Sequence, residues 1–276
     1  MLKISLVTVN YNSSVYTKGL LESLLPFSDF IDKVIVVDNA SSKEEVDFLN
    51  DIVKEFLDRI DVVTILSEVN TGYFGGLNIG LDALDKTGLD GVIVCNNDLV
   101  FNGDFFVTLN SKLIEDDVHV ICPSVITVDG VYQNPSMSDR PSRLRTLFYD
   151  IYYSNYYIGL CLLKVWRYLG LGSDSRFIKD LVERDIFIGI GAIYYLTSSY
   201  FSCNENLPND TFLYGEEAFL AIQIKNSGGR QVYMPDIEVT HFESISTNKL
   251  PGFDKYFLNK KAYKKYRDFY RSDLGF

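Results

Sequence analysis

The first hundred residues alternate short, wholly apolar runs with amphipathic segments, a pattern that few architectures accommodate. Ile4–Val9, Lys33–Val37, Val62–Leu66 and Val92–Cys95 read as strands. Val15–Leu25, a segment opened by Ser42 and Glu45 and running to about Leu57, and Gly75–Leu84 read as helices. Ser42 followed three residues later by Glu45 is a capping-box start. Strands that are apolar on both sides must be covered on both faces, and the intervening helices supply the cover, so a parallel sheet is predicted. Such sheets bind ligands at the carboxyl ends of their strands.

That rule selects four loops: Asn10–Ser14, Asp38–Ser42, Asn70–Asn78 and Asn96–Phe101. All are rich in Asn, Asp, Ser or Gly, whereas the strands before them are apolar. One such loop is ordinary turn chemistry; four on one edge predict a polar cleft. Asp38 closes the second strand, where it reads either as a turn residue or as an acceptor for a base or ribose. A dehydrogenase would need a glycine-rich turn after the first strand, and Val9-Asn10-Tyr11-Asn12-Ser13-Ser14 has none. A nucleotidyltransferase would normally carry a glycine-rich, Arg/Lys-bearing loop at the same place. Gly72, Gly75 and Gly76 admit close backbone approach before a helix N-terminus. Asp98 beside Asn96 and Asn97 offers oxygen ligands of the kind that hold Mg2+ or Mn2+, although that turn alone is a weak signal.

Beyond Phe101, a helix over Asp104–Glu115 and a strand over Val118–Val128, turning at Val128–Val131, are predicted. Residues 131–185 lose the alternation and read as an aromatic insertion. A strand over Ile186–Leu196 follows, then a short helix near Ser198–Cys203 and a firm one over Glu216–Asn226 that ends on Gly228-Gly229. Strands Gln231–Met234 and Ile237–His241 precede a basic tail. The division expected is an α/β half (1–130), the insertion (131–185), a second half (186–245) and the tail (246–276).

Net charge is −11, which argues against nucleic acid as a partner. Residues 249–276 hold eight Lys/Arg against three Asp, a net +5, so the remainder carries −16. The tail alternates Lys with Tyr and Phe over 255–271, which suits either a solvated helix or an anionic membrane surface. The aromatic stretch Leu147–Leu171 is a second candidate contact, and either segment could pair two copies. The four cysteines form no CxxC pair and read as reduced thiols packed as small apolar side chains. The N-terminus enters a strand without a signal-peptide pattern and no apolar run reaches spanning length, so a cytoplasmic site, peripheral on the inner face of the cell membrane, is expected.

Thr8-Val9-Asn10-Tyr11-Asn12, Val37-Asp38-Asn39-Ala40-Ser41, Asn70-Thr71-Gly72-Tyr73-Phe74-Gly75-Gly76-Leu77-Asn78 and Asn96-Asn97-Asp98 together resemble family-2 glycosyltransferases, most closely the rhamnosyltransferase-like branch that includes galactofuranosyltransferases. The resemblance covers residues 3–103 and resumes over about 186–243. It implies a GT-A fold: a Rossmann-like, mostly parallel α/β sheet flanked by helices, here with a helical, aromatic insertion and a basic C-terminal helix. It also implies metal-dependent, inverting transfer from a nucleoside-diphosphate sugar, dTDP-rhamnose or a UDP-hexose, to a glycan or lipid-linked acceptor. Donor contacts fall on Thr8, Asn10, Asp38, Asn70, Gly72, Gly75, Asn78, Asn96 and Asn97. Asp98 and His241 fall at the Mg2+ or Mn2+ site, where many relatives carry two or three acids and this turn has one. An attacking hydroxyl must lose a proton, and the resemblance gives that task to Glu217, with Glu216 beside it and Gly191-Ala192 on the acceptor side. The single acid at 96–98 leaves a non-catalytic nucleotide-sugar binder, or a partner subunit of another glycosyltransferase, as the alternative. His119 reads as structural.

Overall fold

A computed structural model describes residues 1–169, 177–242 and 252–272. Nine strands within these residues form one sheet: β1 Ile4–Asn10, β2 Ile31–Asn39, β3 Val62–Ser67, β4 Gly91–Asn96, β5 Leu99–Phe101, β6 Val118–Thr127, β7 Arg184–Ile186, β8 Ile193–Thr197 and β9 Arg230–His241. The helices are α1 Ser14–Leu24, α2 Lys43–Lys54, α3 Tyr73–Asp82, α4 Phe105–Ser111, α5 Arg143–Tyr152, α6 Tyr156–Tyr168, α7 Ser198–Cys203, α8 Glu216–Asn226 and α9 Gly252–Ser272, with a 3-10 segment at Leu25–Phe30. Strand order is β3-β2-β1-β4-β8-β6-β9-β5, with β7 on β9.

The parallel half matches the expected pattern: β1 pairs in parallel with β2 and β4, and β2 with β3. β1, β4 and the later part of β2 are buried on both faces, whereas the edge strand β3 is mostly exposed or half-buried. Leu6, Val34, Val36 and Ile93 face the core under α1, α2 and α4, while Val7, Ile35, Val37 and Val92 face the core under α3, α7 and α8. Each such side chain contributes about 1.5–3 kcal/mol by burial, which fixes the register, because a one-residue slip would exchange the two faces. The second half is mixed. β8 runs antiparallel to both β4 and β6, whereas β6 and β9 are parallel.

Several boundaries differ from those expected. The predicted strand over 186–196 is two strands, β7 and β8, with the Ile188–Ala192 stretch turning between them. The two strands predicted over 231–241 are one, β9, irregular opposite Pro123 and Ser124. α4 ends at Ser111, four residues early. Of the cysteines, Cys95 and Cys122 are buried, but Cys161 and Cys203 are exposed. The insertion folds as the helix pair α5–α6, on which α9 lies. No described helix is long and apolar enough to cross a membrane.

Tyr256, Tyr263 and Tyr270 recur every seven residues and form the buried stripe of α9. The Tyr256 hydroxyl donates to Tyr152 O at 2.9 Å, and that of Tyr263 to Asp150 Oδ1 at 3.0 Å. These three tyrosines are thus spent on the body of the protein, whereas Phe253 and Phe257 stay about half exposed.

Candidate active site

The four polar loops do meet at one sheet edge. Asn10, at the end of β1, donates to Asp38 Oδ2 at 2.8 Å, and Asp38 Oδ1 accepts from Ser41 N at 2.9 Å. Asp38 is buried, so these bonds hold its carboxylate in place at the strand end. Thr8 lies inside the sheet, its hydroxyl donating to Cys95 O at 2.9 Å. That placement makes it a tie between β1 and β4 rather than a lining residue.

Asn39 organises the next loop, although its place in the sequence does not set it above its neighbours. Its Oδ1 accepts from Thr71 N at 3.0 Å, and its Nδ2 donates to Gly72 O at 2.9 Å and Asn70 Oδ1 at 3.2 Å. Gly72 holds φ +82°, and a Cβ there would stand 2.1 Å from Phe212 O. The close approach that this glycine permits is therefore to the chain's own 204–215 segment. Asn78 clamps the same segment, donating to Leu207 O at 2.8 Å and accepting from Leu207 N at 2.9 Å. A Cβ on Gly75 would meet Thr71 and Asn209 Nδ2. Expected as donor contacts, Gly72, Gly75 and Asn78 are here the seat of a covering loop.

Asn97 turns inward. Its Nδ2 lies 2.9 Å from both Ser13 Oγ and Thr17 Oγ1 and 3.2 Å from Asn10 Oδ1. It braces the 96–98 turn against the start of α1. Asp98 and His241 come together as expected, because β5 pairs with β9 and sets Leu99 opposite His241. His241 Nε2 is 3.3 Å from Asp98 Oδ1 and 3.3 Å from Asn96 Nδ2, while Nδ1 is 2.7 Å from Gln133 Oε1. The Gln133 oxygen can only accept, so Nδ1 carries a proton and donates. In the neutral ring Nε2 then presents its lone pair, which Asn96 can satisfy but a carboxylate oxygen repels, unless a proton or metal ion stands between. Carboxylate oxygen, imidazole nitrogen and an outer carboxamide that fixes the tautomer suit a divalent cation. Among the described residues, no third His, Cys, Asp or Glu completes the set.

Glu216 and Glu217 begin α8 after Gly215, which holds φ +85°. Burial, then the neighbouring charge of Glu217, pushes the Glu216 carboxyl up to about 8. Burial also raises Glu217, opposed by the backbone N–H groups of Glu217, Gly191 and Gly215. The three backbone N–H groups around Glu217 are those that would favour its charged form. A Cβ on Gly191 would lie 2.7 Å from Glu217 Oε1, so the small residue noted before β8 makes room for this side chain.

Tyr73 was missed as a site residue. Its hydroxyl is buried and has no hydrogen-bond partner among the described residues. Burial foremost, then Cys95 and the charges of Asp98, Glu216 and Glu217, hold its phenol far above the ordinary range. Tyr73 is therefore within electrostatic reach of both the cation-type pair and the acidic pair, and it stays a proton donor. His119 is structural as expected, with Nδ1 3.2 Å from Ser227 Oγ.

A mostly parallel sheet with these polar loops at its strand ends is the GT-A type of α/β fold. The chain belongs to glycosyl transferase family 2, whose model matches residues 5–164. No curated protein matches the chain. Among solved structures, S. aureus TarS 1-349 is similar at TM-score 0.56 and 18% identity over 87% of this chain and 60% of that one. GalNAc-T7, solved with UDP, GalNAc and Mn2+, is similar at TM-score 0.62 and 15% identity over 98% of this chain and 49% of that one. The mannosyltransferase PcManGT from Pyrobaculum calidifontis, solved with GDP-Man and Mn2+, is similar at TM-score 0.55 and 14% identity over 95% and 69%. The chain thus spans about half to two-thirds of the length of these proteins.

Proposed function

We propose that this chain is an inverting glycosyltransferase that moves a sugar from a nucleoside-diphosphate sugar to an acceptor hydroxyl. The observation that carries the reading is the placement of Asp98 beside His241, 3.3 Å apart at the sheet edge, in a chain of glycosyl transferase family 2. Glu217 takes the proton from the acceptor oxygen as that oxygen attacks the anomeric carbon and the bond to the diphosphate breaks. Glu216, neutral below about 8, limits the negative charge near the donor. Asp38 accepts from the base or ribose, Asn70 and Asn96 line the donor side, and Asn10, buried, holds Asp38 in place. Asp98 and His241 would hold Mg2+ or Mn2+, which offsets charge on the departing diphosphate when bound. The donor favoured is dTDP-rhamnose or a UDP-hexose, as in the rhamnosyl- and galactofuranosyltransferase-like branch. TarS was solved with UDP-GlcNAc, which supports a nucleoside-diphosphate sugar as the donor class. The acceptor favoured is a lipid-linked or polysaccharide glycan.

The test is a nucleotide-release and transfer assay across a panel of nucleotide sugars with Mn2+, run on the wild type and on Glu217→Gln. Donor binding with transfer lost only in the variant supports the reading. Donor binding without transfer by the wild type to any glycan acceptor would favour the non-catalytic binder.

A further inference from the structure

The helical layer of α5, α6 and α9 carries a surface that the cleft chemistry does not use. Its inside is aromatic: Tyr153 stacks on Tyr263 at 4.9 Å between ring centroids, and Tyr152 meets Tyr256 edge-on at 5.6 Å. Its outside is also apolar. Leu144 is 80% exposed, Tyr157 75% and Tyr168 91%, and Leu147, Val165 and Trp166 are each about half exposed. Water-soluble monomers rarely leave so much apolar surface on neighbouring helices without a use.

Beside this surface, a cavity of about 300 Å3 opens between α5 and α9. Lys260, Lys264, Arg267 and Arg271 line it, and Asp150 is the one acid in its lining. Arg271 pairs with Asp150, while Lys260 donates to Ser154 O at 2.9 Å. The cavity is therefore net positive by three charges on a protein whose total is −11. It meets the apolar face along α5, where Asp150 and Ser154 flank the exposed Ile151.

We propose that α5, α6 and α9 form a docking face for an anionic lipid bilayer, with a lipid phosphate seated in the cationic cavity and the outer side chains of α5 and α6 in the headgroup layer. Tyr and Trp favour that layer, and clustered Lys and Arg add electrostatic attraction to acidic lipid. Charge complementarity chooses this occupant over a second copy, because two-fold pairing would set one cationic cavity beside another. The structure also reassigns the parts: α9 supplies cations, while the apolar contact belongs to the insertion.

The chain has one tryptophan, Trp166, half exposed on α6 with its ring 6.0 Å from that of Phe148 on α5. The experiment adds vesicles of phosphatidylcholine, with and without phosphatidylglycerol, to the full chain and follows Trp166 emission and co-sedimentation. The expected result is a blue shift and co-sedimentation with the anionic vesicles, both reversed by salt. Lys260→Glu with Lys264→Glu should weaken binding at least about tenfold. Leu144→Ser with Tyr157→Ser should remove the blue shift, and matched melting temperatures would show that both variants are folded. Absence of binding to anionic vesicles, or binding that neither pair of changes weakens, would overturn the proposal. So would a dimer in sedimentation velocity that Leu144→Ser with Tyr157→Ser dissolves, which would make the face a contact between copies. No turnover is read, so the outcome is independent of the glycosyl-transfer assay.

Discussion

Nε2 of His241 stands 3.3 Å from Oδ1 of Asp98, although 143 residues separate them, because the β5–β9 pairing fixes both strand ends. If this pair holds the cation, Asp98→Ala should abolish Mn2+ binding in the presence of nucleoside diphosphate, read by electron paramagnetic resonance. Gln133→Leu, which frees the Nδ1 proton of His241, should weaken Mn2+ about 10–100-fold. Unchanged Mn2+ affinity in both variants would exclude the site.

The acidic pair makes stability depend on pH in a defined direction. The folded Glu216 carboxyl lies at about 8, against an ordinary value of 4.5, so the unfolded chain releases its proton first as pH rises. Stability is therefore full below about 4.5 and declines up to about 8, by at most roughly 5 kcal/mol for this group. Glu216→Gln should flatten that slope in a pH series of urea melts; a slope the same as wild type would refute the assignment.

Gly191→Ala should separate the base from the fold. The added methyl meets only the end of the Glu217 side chain, which can swing aside. We expect a melting temperature within a few degrees of wild type and a kcat reduced about tenfold or more, since small misplacements of a reacting group are costly. Full activity would show that Glu217 need not sit on Gly191.

Asn97→Ala tests the brace. Its amide serves Ser13, Thr17 and Asn10 in a buried setting, and its loss should cost about 2–3 kcal/mol in denaturant unfolding. A change below about 0.5 kcal/mol would mean that the turn stands without it.

Tyr73→Phe should do the reverse. Removing a buried hydroxyl with no hydrogen-bond partner among the described residues relieves a desolvation cost, so the melting temperature without ligand should not fall. Donor affinity should drop about fivefold or more if the hydroxyl donates to the donor, as one hydrogen bond would predict. A lower melting temperature with unchanged donor affinity would make Tyr73 purely structural.

The parallel half was legible because each of its strands is apolar on both sides, a pattern that only a two-sided cover explains. The same rule located Asp38, Asp98 and the loops between them before any contact was known. What it could not show was direction. Thr8, Asn78 and Asn97 read as polar residues at a ligand edge, yet each spends its side chain on the protein itself, and an Asn facing inward has the same letter as one facing out. Asn39 and Tyr73 went unnoticed for the converse reason, since their importance lies in partners far along the chain. The insertion was opaque because its helices bury few side chains, Thr146 being the one fully buried residue of α5. In the tail, the seven-residue spacing of the buried tyrosines marks the side of α9 that packs on the body.

Gly215, whose backbone starts the helix bearing Glu217, lies so close to α9 that a Cβ there would stand 2.8 Å from the Cβ of Ala262. Tyr266, one turn further along α9, packs edge-on against Phe219 of α8. Positions 215 and 262 are thus a lock and its key, and neither can gain an atom unless the other yields. In an alignment of homologues they should be found small together, and a chain shortened before residue 262 would lose the packing against the start of α8 along with its tail.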